Sequence, residues 1–181
     1  DAISFDGEAL WVHVADPASV VLPDTPADRE AADRSGTLYL PEGAIPMLPD
    51  AALDRFGLGL SPTSRALSFR IGIDGDGLVT EVRVVPSMVR VTRTSYGEAE
   101  TLLGSGPLAE LARIAAVRAA YRHRNGAIDI DIPEVRVWVD QGTPRIDTVP
   151  HYASSGMVRE MMVMAGEGFA RWAFDRGLPF P

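Results

Sequence analysis

The side chains able to do chemistry in this chain are mostly carboxylates and guanidiniums. Asp1, Asp6, Asp16, Asp129 and Asp131 fall in or beside segments patterned as strands. Hard oxygen ligands of this kind suit Mg2+ or Mn2+ and suit zinc poorly. With no cysteine in the chain there is no disulfide framework, no thiolate metal site and no cysteine nucleophile. The histidines are His13, His123 and His151, too few for a histidine-rich metal centre, and His13 lies in an apolar strand where a satisfied structural role is expected. A Gly-x-Ser-x-Gly elbow, a His-Glu-x-x-His pair and a phosphate-binding P-loop are all absent. All 17 basic residues are arginine, which suits bidentate phosphate recognition, although biased codon usage is the plainer explanation. The net charge of −8 excludes a simple basic nucleic-acid-binding module. A metal-dependent nuclease stays open, because cations neutralise its carboxylates while a few local arginines hold phosphates.

These groups need elements to position them, and 181 residues, 46% of them hydrophobic, suffice for one compact unit. Glu8 to Val14 alternates as a strand. Thr25 and Pro26 open a helix as N-cap and first residue, running to about Arg34 with Gly36 as its stop. Leu38 to Pro49 carries three prolines, so it is expected to be a rigid extended loop. Ala66–Ile73 and Leu78–Val85 flank Asp74-Gly75-Asp76-Gly77, the clearest hairpin signal in the chain. Pro86 is expected to interrupt the second strand, with pairing resuming from Met88 to Thr92. Gly97 onward turns helical. A longer helix runs from Pro107 to about Arg124 on one face made by Leu108, Leu111, Ile114, Ala115 and Arg118, stopped by Asn125-Gly126. Strands at Ile128–Ile132, Val135–Val139 and Arg145–Val149 precede a last helix from about Ser155 to Arg176, ended by Gly177. Hairpins followed by helices indicate an α+β domain. No run approaches the roughly 20 apolar residues of a membrane helix, and the N-terminus lacks signal-peptide regions. The expectation is a cytoplasmic protein with no membrane partner.

Several phrases, in order, then resemble the catalytic (RNB) domain of the ribonuclease II/ribonuclease R family. Asp1-Ala2-Ile3-Ser4 resembles the end of its Ile-Asp-Asp-Ala signature, and Leu10-Trp11-Val12-His13-Val14-Ala15-Asp16 the strand after it. Tyr39-Leu40-Pro41 and Ile45-Pro46-Met47-Leu48-Pro49 resemble the family's most distinctive phrase. Arg65-Ala66-Leu67-Ser68, Thr94-Ser95-Tyr96, Gly126-Ala127-Ile128-Asp129 and Met157-Val158-Arg159-Glu160-Met161-Met162 continue it. Each phrase is weak alone, but the ordered set is specific and covers nearly the whole chain.

The resemblance implies a hydrolytic 3′→5′ exoribonuclease that acts on single-stranded RNA and releases nucleoside 5′-monophosphates with a pair of Mg2+ ions, or Mn2+ in their place. Asp1 matches the last aspartate of the family's metal cluster; the others would lie before residue 1. Tyr39 matches the tyrosine that stacks on bases near the RNA 3′ end, and Tyr96 another position of RNA contact. Arg93 precedes it at a place where a basic residue could bind phosphate, and Glu160 matches the second acid of a Glu-Glu pair. Without the resemblance, Asp1 is a solvated terminal carboxylate, Tyr39 a loop tyrosine packed on prolines, and Arg93 a solvated strand residue. Ile130 departs from an aromatic clamp position, and Arg159 replaces the first acid of the pair. The methionines at 157, 161, 162 and 164 are core filling. Residues 1–181 would be the N-terminal and central part of one RNB-type catalytic domain, inactive alone, with the remainder and accessory RNA-binding domains outside it. The alternatives are a catalytically silent RNA-binding or scaffold protein of the same fold, and a generic acidic interaction domain. No DNA partner is expected, and the oligomeric state is open.

Overall fold

The computed structural model describes residues 1–130 and 132–179; Asp131 and the last two residues of the expected Gly177–Pro181 ending lie outside them. The central element is a four-stranded antiparallel sheet in the order β1-β2-β5-β6, built from β1 (Ala2–Phe5), β2 (Leu10–Ala15), β5 (Ser64–Ile73) and β6 (Val79–Val89). Between β2 and β5 come a single 3-10 turn (Pro17–Ser19), α1 (Pro26–Arg34), the short strands β3 (Leu38–Leu40) and β4 (Gly43–Ile45), and α2 (Asp50–Phe56). After β6 follow α3 (Tyr96–Glu100), α4 (Gly106–Arg124), the hairpin β7 (Val135–Asp140) and β8 (Thr143–Thr148), and α5 (Ala153–Phe174). Antiparallel strands with helices segregated from them make this an α+β fold, as expected.

The core forms where one face of the sheet meets α4 and α5. Leu10, Val12, Phe69 and Ile71 occupy alternate positions of β2 and β5 and pack on Leu111, Ile114, Met161 and Met164. The period of two in the strands therefore meets the helical period in α4 and α5. The methionines do fill the core: Met157, Met161 and Met164 are buried. α5 comes closest at Gly168, where no Cβ would fit against Val82 of β6.

Two arginine–glutamate pairs set the register of α4 against α5. Arg118, 2% exposed, pairs with Glu167 and donates to the Gly77 carbonyl at 2.8 Å. One turn on, Arg122 donates to Glu160 at 2.6 Å. The Arg118 bond ties the tip of the β5–β6 hairpin to α4. Gly77 takes φ +95°, and a Cβ there would lie 2.9 Å from the Val117 carbonyl oxygen.

Local departures from expectation have identifiable causes. Pro86 does not interrupt β6, where it pairs with Leu67; β6 is an edge strand, and proline costs no ladder bond on an outward-facing edge. α1 is capped by Thr25, which accepts from Asp28 N, but its left-handed terminator is Ser35 at φ +59°, not Gly36. Leu38–Pro49 is no simple extended loop. Its prolines fall outside the two strands of a small exposed hairpin, β3 against β4, with Pro41 in the turn, and the hairpin is anchored where Arg34 donates to the Pro46 carbonyl at 2.8 Å. Residues 128–130 and 132 form no strand; the expected Ile128–Ile132 element is not there, and Ile128, Ile130 and Ile132 are exposed.

Candidate functional site

The structure sorts the five candidate aspartates by what already engages them. Asp6 accepts from Trp11 Nε1 at 2.7 Å and from the backbone of Glu8 and Ala9. These bonds, led by the one from Trp11, lower its pKa from 3.8 to about 2. Asp16 caps the 3-10 turn by accepting from Ser19 N. Asp129 pairs with His123 at 2.8 Å, and Asp131 lies outside the described residues. Asp1 opens instead onto a cleft of about 750 Å³, bounded by β1 and β2, the segment after β6, and the N-terminal ends of α3 and α5.

The same cleft gathers Arg93 and Tyr96, so three of the five expected site residues meet there although 95 positions separate the first from the last. The segment from Val89 to Ser95 forms one wall. Arg93 is steadied by Gly59, whose φ is +74°, because a Cβ there would fall 2.7 Å from Arg93 Cγ. The arginine stem lies across the glycine, and the residue lines the cleft. Arg90, which sequence reasoning passed over inside an expected strand, lines the cleft too. Neither Arg90 nor Arg93 has a carboxylate partner among the described residues. Two guanidinium-bearing residues without a carboxylate partner therefore stand on one wall of a chain whose net charge is −8.

Tyr96 is placed by a chain of caps. Ser95 and Glu98 form a reciprocal capping box at the start of α3. Glu98 has its pKa lowered chiefly by the Ser95 backbone N–H. At the far end of α3, Glu100 accepts from the N–H groups of Ala153 and Ser154 at 3.1 and 2.9 Å. It thereby caps α5, whose own N-cap residue Tyr152 supplies no side-chain bond. The Ser154 N–H bond is the main reason the Glu100 pKa is lowered. Ser154 in turn donates from its hydroxyl to the Tyr96 carbonyl, locking the tyrosine's backbone to α5. A carboxylate capping a helix 53 residues away leaves no local pattern to read.

The remaining two candidates lie elsewhere. Tyr39 stands on β3, 81% exposed, and is not among the residues lining the cleft. Glu160 is 4% exposed and belongs to the α4–α5 interface. It receives Arg122, has Arg159 Nε 3.9 Å away, and keeps one oxygen, Oε2, without a hydrogen-bond partner. Ile130, at the position of the aromatic departure, is 79% exposed. His13 lines the cleft, between Ser4 and Ser68; it is satisfied, as a structural histidine would be, and also faces the site.

As a metal centre the cleft is incomplete in these residues. Among the described residues Asp1 is the only carboxylate lining it, and no group of three or more histidine, aspartate or glutamate side chains able to hold a metal ion occurs among them. One carboxylate does not define the near-octahedral shell that Mg2+ demands. Among the described residues no helix is long and apolar enough to cross a membrane.

A family model described as the RNB domain matches residues 1–181. An uncharacterized ribonuclease of Synechocystis sp. is 35% identical over 190 residues, covering 100% of this chain and 28% of that protein. The chloroplastic/mitochondrial ribonuclease II of Arabidopsis thaliana is 32% identical over 185 residues, covering 95% of this chain and 23% of that protein. The chain thus spans about a quarter of the length of these curated relatives. Among solved structures, Mycoplasma genitalium RNase R in complex with ribose-methylated single-stranded RNA superposes with a TM-score of 0.84 at 24% identity, over 98% of this chain and 31% of that one.

Proposed function

This chain belongs to the RNB domain family, and from that premise we propose that the protein carrying it is a hydrolytic 3′→5′ exoribonuclease that acts on single-stranded RNA and releases nucleoside 5′-monophosphates. The observation that carries the reading is the cleft with Asp1 on one wall and the unpaired guanidiniums of Arg90 and Arg93 beside Tyr96 on another. In this reading the arginines hold backbone phosphates, which positions the strand without reading its sequence. Tyr96 offers an aromatic face to a base, a contact worth ~1–3 kcal/mol and indifferent to base identity. Tyr39, on its hairpin outside the cleft, would stack on a more distant nucleotide.

The family resemblance also implies Mg2+, with Mn2+ as a substitute, at a two-metal site. Asp1 is a suitable hard ligand, but the described residues do not fit a complete site by themselves, since among them the cleft offers no second carboxylate. Further ligands would have to come from parts of the protein outside this chain. The same applies to the rest of the catalytic domain, of which this chain would be the N-terminal and central part. Glu160, buried and ion-paired with Arg122, holds α5 behind this site.

The test is digestion of 5′-labelled single-stranded RNA by the full-length protein, with and without chelator, and with Arg93→Ala. The expected products are 5′-monophosphates released from the 3′ end. Activity should vanish in chelator and return with Mg2+ or Mn2+, while Arg93→Ala should raise KM and flatten the salt dependence of binding. Products with 3′ phosphates, or undiminished cleavage in excess chelator, defeat the proposal. Tight RNA binding with no cleavage under any metal identifies the silent RNA-binding alternative.

A further inference from the structure

A line of four side chains crosses the face of the sheet opposite the helices and ends at the cleft. Ser4 Oγ lies 3.0 Å from His13 Nε2, and His13 Nδ1 lies 2.7 Å from Ser68 Oγ. Ser68 and Ser87 share a short hydroxyl–hydroxyl bond, and Ser87 Oγ reaches the Ala66 carbonyl at 3.3 Å. The residues come from β1, β2, β5 and β6 in turn, so the line exists only because the sheet has that order.

Its far end sets the direction of every proton in it. A carbonyl oxygen can only accept, so Ser87 spends its single proton on Ala66. The proton between the two serines is therefore that of Ser68. Ser68 then has none left for the imidazole, and Nδ1 of His13 must carry the proton and donate. Burial lowers the His13 pKa and so favours the neutral ring, in which the other nitrogen, Nε2, has only a lone pair. That lone pair takes the hydroxyl proton of Ser4. Ser4 and His13 both line the cleft with Asp1, whereas Ser68, 1% exposed, and Ser87 do not line it.

We propose that His13 is a positioning residue for the cleft: held by Ser68 as the Nδ1–H tautomer, it ties up the Ser4 proton and leaves the Ser4 oxygen as a fixed hydrogen-bond acceptor in the cleft that Asp1 also lines. The ligand chemistry such an acceptor recognises is an O–H donor, a substrate hydroxyl or the attacking water. A free serine could turn its proton toward the cleft instead and offer a donor. The functional part of this inference rests on the reading of the cleft as a hydrolytic site.

The test uses the full-length protein labelled with 15N-histidine, with the His13 resonances identified by their loss in His13→Gln. Two-dimensional 1H–15N spectra distinguish the tautomers, and the expected wild-type state at neutral pH is Nδ1–H. Ser68→Ala removes the acceptor of Nδ1–H. Ser87→Ala frees the Ser68 proton to turn toward Nδ1. Both should move His13 to the Nε2–H form, reversing Ser4 to a donor in the cleft. Each should then lower kcat for RNA about tenfold, the scale of one hydrogen bond, with KM nearly unchanged. Ser68→Thr, which restores a hydroxyl, should recover both tautomer and kcat; if Ser68→Ala fails to fold, Ser87→Ala carries the comparison. A wild-type His13 that is Nε2–H or doubly protonated overturns the proposal, as does a tautomer change that leaves kcat intact. A lowered kcat with the tautomer unchanged overturns it too. Wild-type protein that does not hydrolyse RNA defeats the functional reading of the cleft and with it the positioning role, while the spectra still decide the direction of the relay.

Discussion

Tyr39 and Asp6 show how far a single side chain's environment goes toward its role. Tyr39 is 81% exposed on a hairpin stiffened by Pro41 and Pro46, so its ring is displayed before any ligand arrives and the ordering cost of binding is small. Tyr39→Ala should change thermal stability by no more than about 0.5 kcal/mol, while weakening RNA binding or altering the length of the final product. Melting curves set beside product sizing check this, and a large stability loss with unchanged products would place the ring in the core. Asp6 makes a pH-dependent contribution. Its folded pKa is lowered from 3.8 to about 2, first by the Trp11 bond, so the folded state holds fewer protons than the unfolded state between those values. The stabilisation is therefore fully present above 3.8 and is lost as pH falls toward about 2. The gap in urea midpoint between wild type and Asp6→Asn should be constant near neutrality and close over that acid window. A gap that persists at the acid end would show that the Trp11 bond does not depend on the charge.

At the scale of elements, the α4–α5 interface governs where the cleft's residues stand, because α5 carries Ser154, Met157 and Val158 to the cleft and Glu160 to the opposite contact. The Arg122–Glu160 pair has Glu160 almost wholly enclosed and Arg122 partly solvated, with side-chain exposures of 5% and 28%. Removing one member strands the other's charge, but Arg122 can recover some hydration. Glu160→Ala should therefore cost about 2–3 kcal/mol, below the range for a fully enclosed pair. Its effect on RNA affinity, measured under conditions where the variant stays folded, should be smaller than that of Arg93→Ala. The reverse ranking would return Glu160 to direct RNA contact. The cap that Glu100 places on α5 works in the same direction, since it joins the element that bears Tyr96 to the helix that backs the cleft.

For the molecule as a whole, the decisive quantity is how many hard ligands converge, and among the described residues lining the cleft there is one, Asp1. Residues 1–181 expressed alone should not hydrolyse RNA at any Mg2+ concentration, because a single carboxylate cannot hold an octahedral ion in a fixed place. They should also self-associate. Phe174 on α5, Ile146 on β8 and Ile128, Ile130 and Ile132 before β7 are each at least 70% exposed, and exposed apolar side chains in such number promote association. Light scattering and an RNA digestion assay on the isolated segment check both points. A monomeric, cooperatively melting segment that degrades RNA with Mg2+ would mean that these residues form a complete catalytic unit.

The sequence by itself determined the elements whose causes are local. The Asp74–Gly77 hairpin, the Thr25 cap and Pro26 start of α1, the apolar face of α4 and the extent of α5 follow from turn chemistry, capping and periodicity, each within a few residues of itself. The ordered phrases likewise carried the family, and they pointed to Asp1, Arg93 and Tyr96, which the fold brings to one cleft. What only the tertiary structure decided depends on neighbours distant in the chain. Pro86 is tolerated because β6 is an edge strand, and strand order is not written in any one strand. Asp6, Asp16 and Asp129 look alike as sequence, but hydrogen bonds to Trp11, Ser19 and His123 occupy them and leave Asp1 to the cleft. That Glu160 sits in a buried ion pair depends on Arg122, which faces it from another helix. Arg90 and the line from Ser4 to Ser87 had no local signal, since a hydrogen bond is short in space but has no fixed span along the chain, and only folding brings its donor and acceptor together.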